Sequence, residues 1–353
     1  MRSESLDFLI RLVNASSPSG YEAPASSLFV DYVSPFSDDV MRDVIGNVAA
    51  VVNPGGSPRI MLSGHVDEIG FIVRYISEEG LIFFGPIGGH DPVIPAGQRV
   101  TIRTHQGLIP GVIGRKPIHL IDPDDRGKAP KLHDLWVDVG AKDKDEAEKL
   151  VSLGDPITYA DQYEALHNGR AAAKSFDNKM GAFIVAEAAR LLSENRPRAA
   201  VYAVATVQEE IGLFGAATGA FGIDPQVAVA TDVTQAADYP DISKKRVGDM
   251  KLGGGPVICR GSKINHQVFK MLIDAAQKEN IPFQIEVAGG GTGTDADAIH
   301  AARAGVATGL VSVALRYMHT PCEVLQLSDV EQSAQLIAAF CRTVTEETDF
   351  IPR

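Results

Sequence analysis

The sequence predicts an α/β protein whose chain is interrupted by a small β-rich domain, and three observations carry that expectation. From Ser175 onward, apolar strands alternate with amphipathic helices, the texture of a sheet covered on both faces. Between about Gly70 and Ala165 the alternation gives way to short apolar runs punctuated by Gly and Pro, as in a small barrel or sandwich. Two more strand-like segments precede that stretch, so the β-rich part is inserted after the early strands of the α/β part. The resulting boundaries are residues 1–68 and 166–353 for a discontinuous α/β domain and 69–165 for an inserted, β-barrel-like domain.

In chain order, residues 6–13 predict an amphipathic helix that Ser16-Ser17-Pro18-Ser19-Gly20 terminates. A second helix is predicted over 22–33. Residues 43–52 predict a strand, and Pro54-Gly55-Gly56 turns the chain into the apolar strand 60–64. The inserted stretch carries strand-like runs at 71–73, 81–84, 99–102, 108–113 and 135–139, with one charged helix over 143–153. The α/β pattern then resumes with helix 179–193, which places Met180, Phe183, Ile184, Leu191 and Leu192 on or near one face. Near-continuous apolar strands follow at 199–207 and 227–230. After them come helix 268–279, strand 283–287, helix 297–304, strand 308–315 and a closing helix over 329–345.

Composition narrows the function classes. A chain of 353 residues exceeds one compact core and suits two domains. Its net charge of −12 argues against nucleic-acid binding, which needs clustered Lys and Arg. The one basic cluster, Lys244-Lys245-Arg246, is short, sits among acids and reads as a solvated turn or an internal contact. No apolar run reaches the roughly 18 residues of a membrane span, and the first residues lack the apolar core of a signal peptide. Cys259, Cys322 and Cys341 are far apart and odd in number, which argues against a disulfide framework. The expected compartment is the cytoplasm.

Chemistry concentrates where apolar strands end. Strand 60–64 leads to His65-Val66-Asp67, strand 199–207 to Gln208-Glu209-Glu210, strand 227–231 to Asp232, and strand 308–315 to Arg316-Tyr317-Met318-His319; Asp177 stands at the mouth of a helix. Sites in open α/β sheets form outside the carboxyl ends of the strands, so these residues converge at one rim. Two imidazoles and several carboxylates match the ligand set of zinc and its neighbours. Asp177, Glu210, Asp232 and Glu209 are four negative charges, and crowded carboxylates oppose one another's ionisation. Two divalent ions sharing a hydroxide bring such a cluster near neutrality. Taken singly, each residue keeps a plainer reading. His65 and His319 suit core histidines, Asp177 a helix cap, Glu209 and Glu210 acids answering a helix dipole, and Asp232 a strand-end turn.

Read together, Gly64-His65-Val66-Asp67-Glu68-Ile69-Gly70, Phe176-Asp177-Asn178-Lys179-Met180-Gly181, Val207-Gln208-Glu209-Glu210-Ile211-Gly212, Thr231-Asp232 and Met318-His319-Thr320-Pro321 resemble family 42 of the metallopeptidases. These are the glutamyl aminopeptidases and TET-type aminopeptidases, some catalogued as cellulases. The inserted domain shares the resemblance through Gly88-Gly89-His90-Asp91-Pro92, Gly111-Val112-Ile113-Gly114-Arg115-Lys116-Pro117 and Trp136-Val137-Asp138-Val139-Gly140-Ala141. It implies a mixed-sheet catalytic domain like that of the zinc exopeptidases, with Asp177 bridging two ions (zinc, or cobalt or manganese). His65 and Asp232 would complete one ion, and Glu210 and His319 the other. Asp67 would hold the His65 ring, and Glu209 would act as general base for a metal-bridged hydroxide that releases N-terminal residues from peptides with a free amine. The resemblance also implies a homo-oligomer, often a dodecamer, with the inserted domain serving contacts and substrate access. The chain departs from the family pattern at Ser175-Phe176 and at Lys179, where arginine is more frequent.

Two further motifs are weaker. Gly289-Gly290-Gly291-Thr292-Gly293-Thr294-Asp295 follows a strand but lacks the Lys-Ser/Thr of a phosphate loop; it reads as a flexible turn, and the resemblance implies that it and Leu252-Gly253-Gly254-Gly255-Pro256 line a substrate pocket. Cys322 fits no zinc-ribbon spacing and reads as a packed thiol. Two rival functions remain. A glycoside hydrolase working by paired carboxylates would leave His65 and His319 without a role. A non-catalytic scaffold would have no reason to gather so much unpaired acid.

Overall fold

The structure, a computed structural model, describes residues 1–352. Eight strands form one mixed sheet in the spatial order Asp39–Arg42, Val48–Val52, Ala200–Thr206, Arg59–His65, Val227–Gln235, Ala307–Leu315, Val257–Gly261, Gln284–Ala288. The four strands from Ala200–Thr206 to Ala307–Leu315 run parallel. An antiparallel hairpin closes one edge, and Val257–Gly261 turns antiparallel to Ala307–Leu315 at the other.

Successive strand residues face two different cores, which is why the central strands read as unbroken apolar runs. Ile60, Leu62, Val201, Ala203, Val227 and Val229 pack against helices Ser3–Asn14, Ala23–Val33, Phe176–Glu194, His266–Lys278 and Leu327–Thr343. Met61, Val204 and Ala228 face the opposite way, onto Ala216 and Ala220 of helix Phe214–Ile223 and Ile299 of helix Asp295–Ile299. Helix Ser3–Asn14 forms because Phe8, Leu9, Leu12 and Val13 recur at helical spacing and bury completely or nearly so. Burying one such side chain contributes on the order of 1.5–3 kcal/mol. Helix His266–Lys278 starts where the Asn265 side chain accepts the N–H groups of Gln267 and Val268.

Two expectations are corrected. The strand expected over 43–52 is confined to Val48–Val52: the Asp43 carboxylate accepts the N–H groups of Ile45, Gly46 and Asn47 and folds 43–47 into the turn of a hairpin with Asp39–Arg42. The helix expected over 297–304 spans Asp295–Ile299, two residues earlier, because the Thr294 hydroxyl accepts the Ala296 N–H and starts it there.

The inserted stretch closes into a six-stranded antiparallel barrel, a subdomain separate from the mixed sheet. Its strands are Gly70–Ile76, Ile82–Ile87, Trp136–Asp138, Gly107–Gly114, Arg99–Thr104 and Pro156–Tyr159, in spatial order. Phe71, Phe84, Ile102, Val137 and Ile157 fill it, and helix Lys144–Leu150 adds Ala147 to that core. A three-stranded sheet of Glu164–Ala165, Arg170–Ala173 and Glu323–Gln326 then ties the returning chain to the segment just after His319.

Candidate metal centre

The parallel strands deliver their polar followers to one rim. His65 is the last residue of Arg59–His65 and is 1% exposed. Glu209 and Glu210 lie in the turn between Ala200–Thr206 and helix Phe214–Ile223, before that helix begins. Asp232, expected to follow a strand, lies inside one: pairing with Ala307–Leu315 carries Val227–Gln235 three residues beyond it. Asp177 does not cap its helix. No side-chain cap is made there, and Asp177 and Asn178 leave the helical conformation, joined by a cis peptide bond. Gly64 lets strand and helix meet, since a Cβ there would lie 2.2 Å from the Gly181 carbonyl carbon. His319 stands in a turn with Tyr317, both left-handed at φ 61° and 62°.

These elements bring His65, Asp177, Glu209, Glu210, Asp232 and His319 together. The two oxygens of Asp177 face different imidazoles: Oδ1 lies 3.5 Å from His65 Nε2 and Oδ2 lies 3.3 Å from His319 Nε2. Glu210 Oε2 is 3.6 Å from His319 Nε2, and Glu209 Oε2 is 3.6 Å from His65 Nε2. His65, Asp177 and Glu210 form one group of candidate ligands within 4.8 Å, and His65, Glu209 and Asp232 another. Hydrogen bonds between such groups run about 2.7–3.2 Å, so these spacings are long for direct bonding. Atoms 2.0–2.2 Å from a shared tetrahedral ion lie roughly 3.3–3.6 Å apart, which is the spacing seen. Glu210 Oε1 is buried with no hydrogen-bond partner. The donor set therefore fits cations.

Backbone contacts orient the donors. His65 Nδ1 lies 3.1 Å from the Asp67 carbonyl oxygen, a nearer partner than the Asp67 carboxylate at 3.4 Å, and this leaves Nε2 for the centre. The Asp67 carboxylate accepts the Ser19 hydroxyl at 2.6 Å and the N–H groups of Glu209 and Glu210 at 3.1 and 3.2 Å. Glu22 accepts the Gln208 N–H at 3.1 Å, so three successive amides of this turn point at buried acids. Glu68, also buried, accepts from Lys179 at 2.7 Å, from Lys174 and from the Ser17 N–H. Lys179, the departure from the family pattern, thus anchors the Asp177 segment to the N-terminal helix turn. Sequence reasoning missed the roles of Glu22 and Glu68; the only hint was acids embedded beside apolar residues.

Electrostatics follow from burial and crowding. Burial pushes the Glu209 carboxyl up to about 7, with His65 opposing and Asp295, Asp177 and Asp67 adding. Burial and then Asp177 push Glu210 well up; burial does the same to Asp232. His65 is disfavoured as a cation by burial, yet Glu209 and Asp67 hold it well above its usual range. Asp177 is held well down against its burial by the two histidines. Carboxyls this crowded ionise together only when positive charge is brought among them.

The Gly289–Asp295 stretch is a held turn: the Asp297 carboxylate accepts the N–H groups of Thr292 and Gly293, and Asp295, fully buried, accepts the Thr206 hydroxyl at 2.6 Å. Cys322 is exposed, which corrects its reading as a packed thiol; the inward position goes to the next residue, Glu323. Lys244 and its neighbours form a short helix on which Lys244 pairs with Asp249.

A strand rim that gathers imidazoles and buried carboxylates at ion-sharing distances defines a candidate metal centre of a metalloprotein. Residues 46–336 match the M42 glutamyl aminopeptidase family. The chain is 35% identical over 349 residues to the lysyl aminopeptidase of Pyrococcus furiosus, spanning 98% of this chain and 99% of that protein. A TET aminopeptidase from a marine-sediment Thaumarchaeota archaeon superposes with a TM-score of 0.93 at 35% identity over 98% of each chain. The TET1 peptidase of Pyrococcus horikoshii, which can assemble into a tetrahedron or a large octahedral shell, superposes with a TM-score of 0.85 at 30% identity, over 96% of this chain and 100% of that one. The chain belongs to the M42 family and is a metallo-aminopeptidase, a hydrolase of peptides.

Proposed function

We propose that the centre holds two divalent ions, zinc before cobalt or manganese, and removes N-terminal residues from peptides with a free α-amine. Asp177 would be shared between the ions, with His65 and Asp232 completing one position and Glu210 and His319 the other. The observation that carries this reading is that each Asp177 oxygen faces a different histidine at ion-sharing distance. When bound, such ions lower the pKa of water and polarise a scissile carbonyl.

The chain's own residues do the rest. Glu209 takes a proton from the attacking water at Oε2 and delivers it to the leaving amine, a role suited to a carboxylate that sits 3.6 Å from His65 Nε2 at the edge of the centre. Asp67 fixes the backbone of Glu209 and Glu210, which keeps the base and its neighbouring ligand in separate places. Four carboxylates against two divalent ions leave the centre close to neutral. We assign residues 1–68 and 166–353 to catalysis and 69–165 to subunit contacts and substrate access within a dodecameric shell. Shell and dodecamer assembly of the Pyrococcus horikoshii TET1 relatives supports an oligomeric shell here. Cysteines that are all free suit a reducing cytoplasm.

The test is a panel of aminoacyl-nitroanilides and carboxymethylcellulose, each assayed with and without chelator. Chelator-sensitive cleavage of the nitroanilides alone is the expected result. Cleavage of the polysaccharide, or peptidase activity indifferent to chelation, overturns the reading.

A further inference from the structure

Glu323 lies outside every role so far described, yet it touches the backbone of two ligand-bearing segments at once. Its Oε2 accepts the Asp177 N–H at 3.0 Å, and its Oε1 accepts the His319 N–H at 2.9 Å. The side chain is 1% exposed. It opens strand Glu323–Gln326, where it pairs in register with Ala173, four residues before Asp177. The carboxylate therefore sits where the chain entering Asp177 and the chain leaving His319 are stitched together. His319 needs such an anchor, because a non-glycine residue at φ 61° occupies a sparsely populated conformation that surroundings must impose.

We propose that Glu323 is a positioning residue that fixes the separation of Asp177 and His319, and so the geometry of the metal position they share. The chemistry of the side chain explains the choice. A carboxylate offers two acceptor oxygens and no donor, which suits two backbone N–H groups arriving together. The amide of Gln would turn an NH₂ toward one of them. Asp would keep both acceptors but, one methylene shorter, could not reach both amides from the same backbone.

The proposal rests on the reading of the centre as a metal site, and the experiment separates the two. Wild type, Glu323→Gln, Glu323→Asp and Glu187→Gln are loaded with Co²⁺, dialysed, and compared by elemental analysis, by the visible Co²⁺ absorption and by nitroanilide kinetics. Glu187 is the control, a buried carboxylate whose partners are Ser5, Tyr32 and Arg190. Groups that orient ligands are worth roughly 10–100-fold in metal affinity or activity. Glu323→Gln is expected to hold one ion as wild type does and to weaken the second by that factor, with an altered cobalt spectrum. Its kcat should fall by a similar factor and recover on adding metal, while KM stays near wild type. Glu323→Asp is expected to fall between the two, and it decides the matter if the Gln variant does not fold. Glu187→Gln should lose stability without moving the metal titration.

Two tight ions with an unchanged spectrum in both Glu323 variants overturn the proposal, as does an equal shift in Glu187→Gln. A wild type that binds no divalent ion overturns the metal reading itself.

Discussion

The two halves of the centre are built differently. His65 and Asp232 stand on adjacent strands of the parallel sheet, 1% and 5% exposed, each paired in register on its outer side, His65 with Thr206 and Asp232 with Ser312. Glu210 and His319 stand on irregular turns, and the His319 side chain is 35% exposed. The inserted segment approaches this second half: a Cβ on Gly88 would lie 3.4 Å from Glu210 Cβ, and one on Gly89 would lie 3.6 Å from His319 Nδ1. The sheet pre-organises one half through its own hydrogen bonds. The other half borrows rigidity from buried carboxylates, Asp67 on the Glu210 turn and Glu323 on the His319 turn. A shared ligand, Asp177, joins a rigid position to a compliant one.

The largest effect expected is on the base that sits between the halves. Glu209→Gln should retain the wild-type complement of metal while kcat falls roughly 10²–10⁴-fold. Elemental analysis alongside turnover checks it. An active variant would remove Glu209 from the role of base, and one that loses metal with its activity would make it a ligand, as its place beside His65 and Asp232 also permits.

The comparison itself is tested by removing one imidazole from each half. His319→Ala should keep about one ion per chain after dialysis, because the strand-borne position stays intact. His65→Ala should keep less, since it disturbs the position from which Asp177 reaches across. In the wild type, a chelator titration should release metal in two phases, the turn-borne ion first. Equal retention by both variants and a single phase would show that the halves are equivalent despite their construction.

Much of this was legible in the sequence, for a definite reason. His65, Glu209, Glu210 and His319 each follow an apolar run, and such runs form the sheet whose carboxyl ends make sites. The barrel was legible through five of its strands; Pro156–Tyr159 escaped because four residues next to Gly154 give too short an alternation to read. Asp232 was misplaced relative to its strand because Thr231, Asp232 and Thr234 look like a polar terminus, while pairing with Ala307–Leu315 continues through them. The long-range anchors left no more than a faint trace, acids embedded beside apolar residues. Glu323 serves Asp177 across 146 positions and Glu22 serves Gln208 across 186, through backbone N–H groups that every residue possesses.

The smallest effects come from paired glycine substitutions, which sharpen the contrast in packing. Gly64 precedes His65 at the crossing of strand and helix, where an added Cβ would meet backbone atoms of Gly181 and Ala182 at 2.2 and 2.5 Å. Backbone cannot step aside as a flexible side chain can, so Gly64→Ala must separate Arg59–His65 from Phe176–Glu194 and move His65 away from Asp177. Overpacking of this kind costs about 1–3 kcal/mol, and the loss should appear as a lower melting temperature together with weaker metal retention. Gly89 adjoins His319, where an added Cβ would lie 3.6 Å from Nδ1, an ordinary van der Waals contact. Gly89→Ala should therefore stay within about 0.5 kcal/mol of wild type and keep both ions. A tolerant Gly64 and an intolerant Gly89 would reverse the assignment of rigidity, placing the stiff half of the centre on the turns.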